Sequence, residues 1–482
     1  MTSHNLRLAS FLADIAGISH TQDSHTLSVK SKDYFWYSPL LQEALDNKLG
    51  EVLVLPANEN EVMRVAGAAA RHQIPLTVRG GGTGNYGQCV PLQGGIILDT
   101  SRLNRVLSIS PGFVQCEAGA LMMDLERAVR ADACVPGGQE LLMYPSTRDI
   151  ATIGGFVGGG YGGAGSIRNG ILKDPGNVTR VRVVTLEAQP RVIDLHGADI
   201  QKVHHAFGTN GIITQLTVSL KPAVNWVHHI ALFDSYPQAL RLCVAATQAV
   251  ARTVPIGHAQ TPTQSAAVPD VPLDAFLITA VERRFAPFYA QAFGDRFPVT
   301  HDAVFSMIHP DYLSTWRALV ASHGGHETMA LTEEQLTAQG LIPAFECGWN
   351  HTTLMALRHD RSWTNLQTID AWPLDIDKVQ AQMQRWGDEV LMHHEFARDS
   401  QGPVVFGLPL VAYFDRDRLY EIIAEYEADG CVVLDNHVYT IEDGGMKTID
   451  SAQIDFKKIA DPHGLMNPGK TRGWSDDMAV SL

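Results

Sequence analysis

Glycine crowds into two short stretches of this chain, and any fold has to account for both. Of 42 glycines in 482 residues, one group lies between Gly80 and Gly95 and another between Gly154 and Gly170. Gly82, Gly84 and Gly87 spell GxGxxG, and Gly158, Gly160 and Gly163 spell it again. The first suggestion is a dinucleotide fold, where this string opens a helix whose N-terminus faces a pyrophosphate. The neighbouring residues argue against it. After Gly87 come Gln88, Cys89, Val90 and Pro91 and then another strand, and after Gly163 comes AGSIRNGILKDPGN, which reads as loop. What survives is the chemistry of glycine itself: without a Cβ, backbone N–H groups can turn inward together and touch phosphate oxygens. RGGGTGNYGQ, Arg79 to Gln88, is such a loop. A tight turn between strands is the plainer reading of one such stretch; two in one domain favour anion binding.

The surroundings read as α+β. EVLVLP is a strand ended by proline, Glu61 to Arg71 has helical apolar spacing, and PLTVR, GGIILDT and FVQCEAG are strands before a helix from Met122 to Arg130. RVRVVTLEA reads as a strand, Asp199 to Phe207 as a helix, and GIITQLTVSLKP as a strand stopped by Pro222. Beyond it a second α+β pattern runs from HHIALFDS through the helix Arg416 to Asp429, with Gly430 placed to cap it. The expected organisation is an extension over 1–45, a domain over 46–222, a second over 223–451 and a C-terminal segment over 452–482. The length suits two domains.

Charge and cysteine usage narrow the function classes. A formal charge of −15 repels phosphate backbones, so nucleic acid is not an expected partner. Six scattered cysteines without a CxxC pair suggest neither zinc ribbon nor disulfide scaffold, and fit a reducing cytoplasm. No signal peptide or apolar run of membrane-spanning length is expected.

Several motifs in order carry a family resemblance: VRGGGTGNYGQ with GGIILDTSRLNRV, then YPSTRDIATIGGFVGGGYGGAGSIRNG, GTNGIITQLTVSLKP and DPHGLMNPGK. Together they resemble the FAD-linked oxidases of the vanillyl alcohol oxidase and p-cresol methylhydroxylase superfamily, nearest its glycolate oxidase and D-lactate dehydrogenase branch. The resemblance is strong from about Leu53 to Pro222 and in the last thirty residues, and weak between. It implies a two-domain flavoprotein with a PCMH-type FAD-binding domain and an α+β substrate domain. It implies that the loop of Arg79, Gly80, Gly81, Gly82, Thr83, Gly84, Asn85, Gly87 and Gln88 wraps the FAD pyrophosphate, with Arg79 available to meet the diphosphate. The second stretch, with Thr152, Gly154, Gly155, Gly159, Gly163 and Ser166, would run along the ribityl and flavin side. Ile212 and Ile213 match a strand that touches the cofactor, and Asn467 and Lys470 match a terminal turn returning to it. Many relatives tether flavin through a histidine in an R-x-G-G-H pattern; Thr83 stands there, so FAD is expected to be noncovalent at this loop.

Flavin chemistry on an alcohol needs a base for the hydroxyl proton. His437, in LDNHVYTIEDGG, stands where the 2-hydroxy-acid branch carries Glu-His-Gly, with Asn436 and Val438 replacing its neighbours. On a strand His437 and Tyr439 would share a face. Arg358 and Arg398 are candidate partners for a substrate carboxylate, and Trp349, Trp363, Tyr413 and Tyr439 candidate walls of an aromatic pocket. The branch's metal-binding histidines have no counterpart in VVFGLPLVAYFD, and His393, His394 and Glu395, or His351 and His359, are poorly spaced for chelation, so no metal is expected. Ordinary core or surface roles stand beside each assignment. The expected function is oxidation of a small hydroxylated substrate, first a 2-hydroxy acid, alternatively a phenolic or other alcohol without metal; a catalytically silent electron-transfer subunit is the alternative of another class. The electron acceptor (oxygen, quinone or protein carrier) and a homo-oligomeric state stay open.

Overall fold

A computed structural model describes residues 3–256, 271–445 and 447–480. Four sheets organise it. In the first, Val52–Val54, Ile96–Asp99 and Leu76–Arg79 run parallel, with the short His20–Thr21 antiparallel at one edge. The crossover helix Glu59–Arg71 starts where Asn58 accepts the Glu61 N–H at 3.0 Å and Glu61 accepts the Ala57 N–H at 2.8 Å. Two otherwise orphan donors are thereby satisfied at the entry to a helix whose Val62, Val65 and Ala69 are fully buried.

The second sheet is antiparallel and centred on Ile212–Pro222, which pairs with Phe113–Glu117 on one side and Val178–Val184 on the other. Its even-numbered residues from Ile212 to Leu220 are buried, and the odd-numbered ones only partly so. That alternation is the period-two signature of a strand with one face in the core. The third sheet has eight strands, and several, such as Val227–Phe233 and Ala275–Val281, are buried at every position. Both faces are covered, one by the helix Tyr236–Thr253. At one end of this sheet lie Gly402–Gly407, Gln367–Asp370 and Val432–Leu434. Trp363–Asn365, Leu410–Ala412 and Val390–Leu391 form a small fourth sheet.

Four local expectations are corrected. Residues 199–207 form a short 3-10 turn, Gly197–Lys202, and then a bend with His205 and Phe207 at φ of 47° and 50°. The second glycine stretch is not all loop: Ile153–Gly159 is helical because Thr152 caps it, accepting the Gly155 N–H at 3.2 Å, and Ser166–Asn169 adds a single turn. VVFGLPLVAYFD splits at Pro409, so Gly402–Gly407 and Leu410–Ala412 join different sheets. The strand Val432–Leu434 ends before His437, which sits in a turn, so no strand face is shared with Tyr439. Among the described residues no helix is long and apolar enough to cross a membrane.

Candidate active site

The two glycine stretches meet backbone to backbone. A Cβ on Gly80 would stand 2.2 Å from Thr152 Oγ1, and one on Gly81 would stand 2.2 Å from the Ile150 carbonyl oxygen. Only glycine lets the chains approach so closely. Gln88 bolts the two together, donating from Nε2 to the Gly159 carbonyl at 3.1 Å. The junction opens into a cleft of about 1530 Å³, mouth included. Gly80 to Asn85, Gln88, Thr152, Gly154, Gly155, Gly159 and Ile213 line it. Ile212, on the opposite face of the strand, packs into the core of the first sheet instead.

The other residues expected from sequence support the loops from behind. Asn467 donates to the carbonyls of Gln88 (2.7 Å) and Phe207 (2.6 Å), and Lys470 Nζ donates to the Gly87 carbonyl at 2.6 Å. Ser166 Oγ accepts the Gly163 N–H at 3.0 Å. Arg79, expected to meet a diphosphate, turns away from the cleft lining: its Nη1 donates to the carbonyls of Lys30 at 3.1 Å and Lys32 at 2.5 Å. Its guanidinium therefore straps the N-terminal segment beneath the loop. That segment contributes Asp33, which sequence reading missed. Burial pushes the Asp33 carboxyl up to about 6, opposed by Lys470 and by the N–H groups of Phe35 and Cys89. Burial likewise pulls the Lys470 ammonium down to about 8, opposed by Asp33. Each group is the other's compensating charge under the loop.

Across the cleft the wall is made of side chains. Tyr86 donates its hydroxyl to Gln367 Oε1 at 2.5 Å, and Gln367 Nε2 donates to Asn350 Oδ1 at 3.0 Å. Beside this neutral chain, Phe406 packs against Tyr161 and Trp349 with ring centroids 5.7 and 5.5 Å apart. Asp33 is the one charged side chain lining the cleft among the described residues.

The residues proposed for catalysis are not gathered here. The His437 ring is buried, bonds Ser38 Oγ through Nδ1 at 2.7 Å and leaves Nε2 unpartnered; burial pulls its pKa down to about 4. It lies outside the cleft lining. Tyr439 packs with Phe35, Leu45 and Val90, and Lys470 sits 5.2 Å from its ring centre. Arg358 is exposed on the helix Asn350–His359, and Arg398 donates to the carbonyls of Ile167 and Arg168. His393 pairs with Glu395 and His394 with Tyr236, so the adjacent histidines serve different partners. No group of three His, Cys, Asp or Glu comes together at metal-binding range among the described residues. Of the aromatic candidates, Trp349 reaches the cleft. Gln367, Thr368, Asn350 and Phe406 carry no local signal and were missed; Tyr86 lay inside the first loop and was legible by position.

The lining fits an extended, acceptor-rich cofactor. Gly80 to Gly84 and Gly154 to Gly160 present backbone, and Asn85 Nδ2, a buried donor, has no protein partner. Such a group is satisfied by an oxygen of a bound molecule. The family model described as FAD binding domain matches residues 50–194. The glycolate oxidase subunit GlcD of Bacillus subtilis is 27% identical over 184 residues, 36% of this chain and 37% of that protein. A D-lactate dehydrogenase of Archaeoglobus fulgidus is 29% identical over 207 residues, 40% of this chain and 44% of that one. The chain thus spans less than half the length of these curated relatives. Over the whole chain the fold resembles a 4-ethylphenol oxidase from Gulosibacter chungangensis, with a TM-score of 0.64 at 17% identity, covering 97% of each. The glycine-built cleft and the matched domain make residues 50–194 an FAD-binding domain, with FAD as the cofactor, and the fold of the whole chain is similar to that of the 4-ethylphenol oxidase.

Proposed function

We propose that this flavoprotein oxidises a small, uncharged hydroxylated substrate, with an aromatic alcohol as the best fit. The observation carrying this reading is the cleft wall at Tyr161, Trp349 and Phe406, which meets neutral Tyr86, Asn350, Gln367 and Thr368 and contains no guanidinium or ammonium among the described residues. A carboxylate removed from water without a cation is strongly disfavoured, whereas a ring against aromatic faces and a hydroxyl on amide groups are both satisfied. A 2-hydroxy acid is the second reading, supported by the relatives named glycolate oxidase subunit and D-lactate dehydrogenase.

FAD, when bound, supplies the hydride acceptor. The backbone of Gly80 to Gly84 and of the helix opened by Thr152 would hold it. The Gln367 and Asn350 amides orient the substrate hydroxyl, and Tyr161, Trp349 and Phe406 exclude water around the reacting carbon. His437 is neutral, as a base must be, but a ring of pKa about 4 is a weak base and its unpartnered Nε2 lies outside the cleft lining. We assign it to joining the turn after Leu434 to Ser38 rather than to proton removal. Thr83 offers no ring nitrogen, so FAD at this loop is held without a covalent bond. The six unpaired cysteines support the reducing, cytoplasmic setting expected from their spacing.

The test is anaerobic bleaching of the bound flavin by benzyl alcohol, 4-ethylphenol, glycolate and D-lactate. Bleaching by the aromatic alcohols supports the first reading; bleaching by the hydroxy acids alone replaces it with the second. Retention of flavin without bleaching by any panel member points to the electron-transfer subunit. Release of yellow flavin on denaturation checks the noncovalent attachment.

A further inference from the structure

Trp349 occupies the cleft wall at a backbone conformation that tryptophan rarely adopts, with φ of 53° and ψ of −146°. Such a residue persists only where its surroundings over-determine it. The surroundings here are a buried carboxylate. Glu395, 1% exposed on the strand His393–Asp399, accepts the Trp349 N–H at 2.6 Å through Oε1. The same carboxylate is held by His393 Nε2 at 2.7 Å and by the Thr279 hydroxyl at 2.6 Å, so it cannot swing away. Gly348 completes the arrangement, because a Cβ there would lie 2.9 Å from Glu395 Oε1 and 3.1 Å from Thr279 Oγ1. The Gly348–Trp349 backbone thus drapes directly over the acid.

The consequences reach the cleft. The indole comes to rest against the second glycine stretch, its Cη2 3.2 Å from where a Gly162 Cβ would stand, and against Phe406. Phe406 is itself the cross-strand partner of Glu395. The next residue, Asn350, begins the helix Asn350–His359 and takes the Gln367 amide. One carboxylate therefore lies under both the aromatic and the amide parts of the wall.

We propose that Glu395 is a positioning residue that, acting through the Trp349 N–H, seats the indole and the Asn350 amide in the cleft. The proposal rests on this cleft being the flavin site, and the test separates the two. Apoprotein is titrated with FAD while tryptophan emission is followed. Trp349→Phe should remove part of the FAD-induced quenching, because its indole is beside the cofactor cleft. Glu395→Ala should lose that same part and no more when combined with Trp349→Phe, since both act through one ring. Glu395→Gln keeps an acceptor for the Trp349 N–H and should restore the quenching. A structural role alone predicts lowered melting temperature without this shared, non-additive loss. Gly348→Ala pushes a methyl against the carboxylate and serves if Glu395→Ala does not fold; it should lose the same part. Full quenching in a folded Glu395→Ala, or in Gly348→Ala, overturns the proposal while leaving the cleft assignment standing. Full quenching in Trp349→Phe overturns both.

Discussion

The wall at Gly80 to Asn85 and Thr152 to Gly160 presents mainly backbone, whereas the wall at Tyr161, Trp349, Gln367 and Phe406 presents side chains. The first is built by removing atoms: a Cβ at Gly80 or Gly81 would stand 2.2 Å from the facing chain. The second is built by hydrogen bonds and ring contacts from segments remote in sequence, such as Tyr86 to Gln367 across 281 residues. In the proposed reading, backbone would recognise what every FAD shares, while side chains would choose among substrates. The two walls should therefore fail differently.

The largest effect is expected on the backbone side. Gly81→Val drives a side chain into the Ile150 carbonyl and should weaken FAD binding about 100-fold, roughly 3 kcal/mol of overpacking strain, read as flavin absorbance per protein after purification. A flavin-replete variant would break the idea that close approach makes this wall.

Next comes the buried pair beneath the loop. Lys470→Met leaves Asp33 without its ammonium and should lower unfolding stability by about 3 kcal/mol in a urea titration. Asp33 has its folded pKa raised from 3.8 to about 6, so the fold favours its protonated form; the associated stability is complete below pH 3.8 and is lost as pH rises through 6. Lys470 has its folded pKa lowered from 10.5 to about 8, so the fold favours its neutral form; that stability is present above pH 10.5 and is lost as pH falls through 8. Asp33→Asn should abolish the acid-side slope, about 2 kcal/mol, in stability measured from pH 4 to pH 6; an unchanged slope would assign it to another group.

On the side-chain wall, Gln367→Leu strands the Tyr86 hydroxyl and the Asn350 carbonyl. FAD content should stay intact while the half-saturating substrate concentration in flavin reduction rises about tenfold. Loss of FAD instead would erase the distinction between the walls. The smallest catalytic effect belongs to His437→Ala, which should keep flavin reduction within about threefold and lower stability by about 1 kcal/mol through the lost Ser38 bond. A thousandfold slower reduction would restore His437 as the base.

The same division explains what was legible in the sequence. The glycine stretches could be read because close backbone approach leaves its mark as a consecutive string, and Asn467 and Lys470, expected from an ordered terminal motif, bond the carbonyls of Gln88 and Gly87. The strand Ile212–Pro222, read from GIITQLTVSLKP with Pro222 as its stop, is found with the period-two burial that a one-sided core enforces. The strand face expected to carry His437 and Tyr439 together is absent because the strand ends at Leu434. Arg398, a candidate partner for a substrate carboxylate or an ordinary ion pair, instead bonds two carbonyls at the turn Ser166–Asn169. Nothing local marks Gln367 or Phe406, since any strand could carry them.

By itself the sequence determined that two glycine-rich stretches lie in an α+β chain, because glycine content and neighbour context are local properties. Only the tertiary structure decided which polar and aromatic groups line the cleft. The strands Gly402–Gly407 and Gln367–Asp370 become neighbours through pairing out of chain order, and Trp349 reaches the cleft through a buried carboxylate 46 residues away. Such convergence is set by strand order and packing, which leave no contiguous trace in the chain.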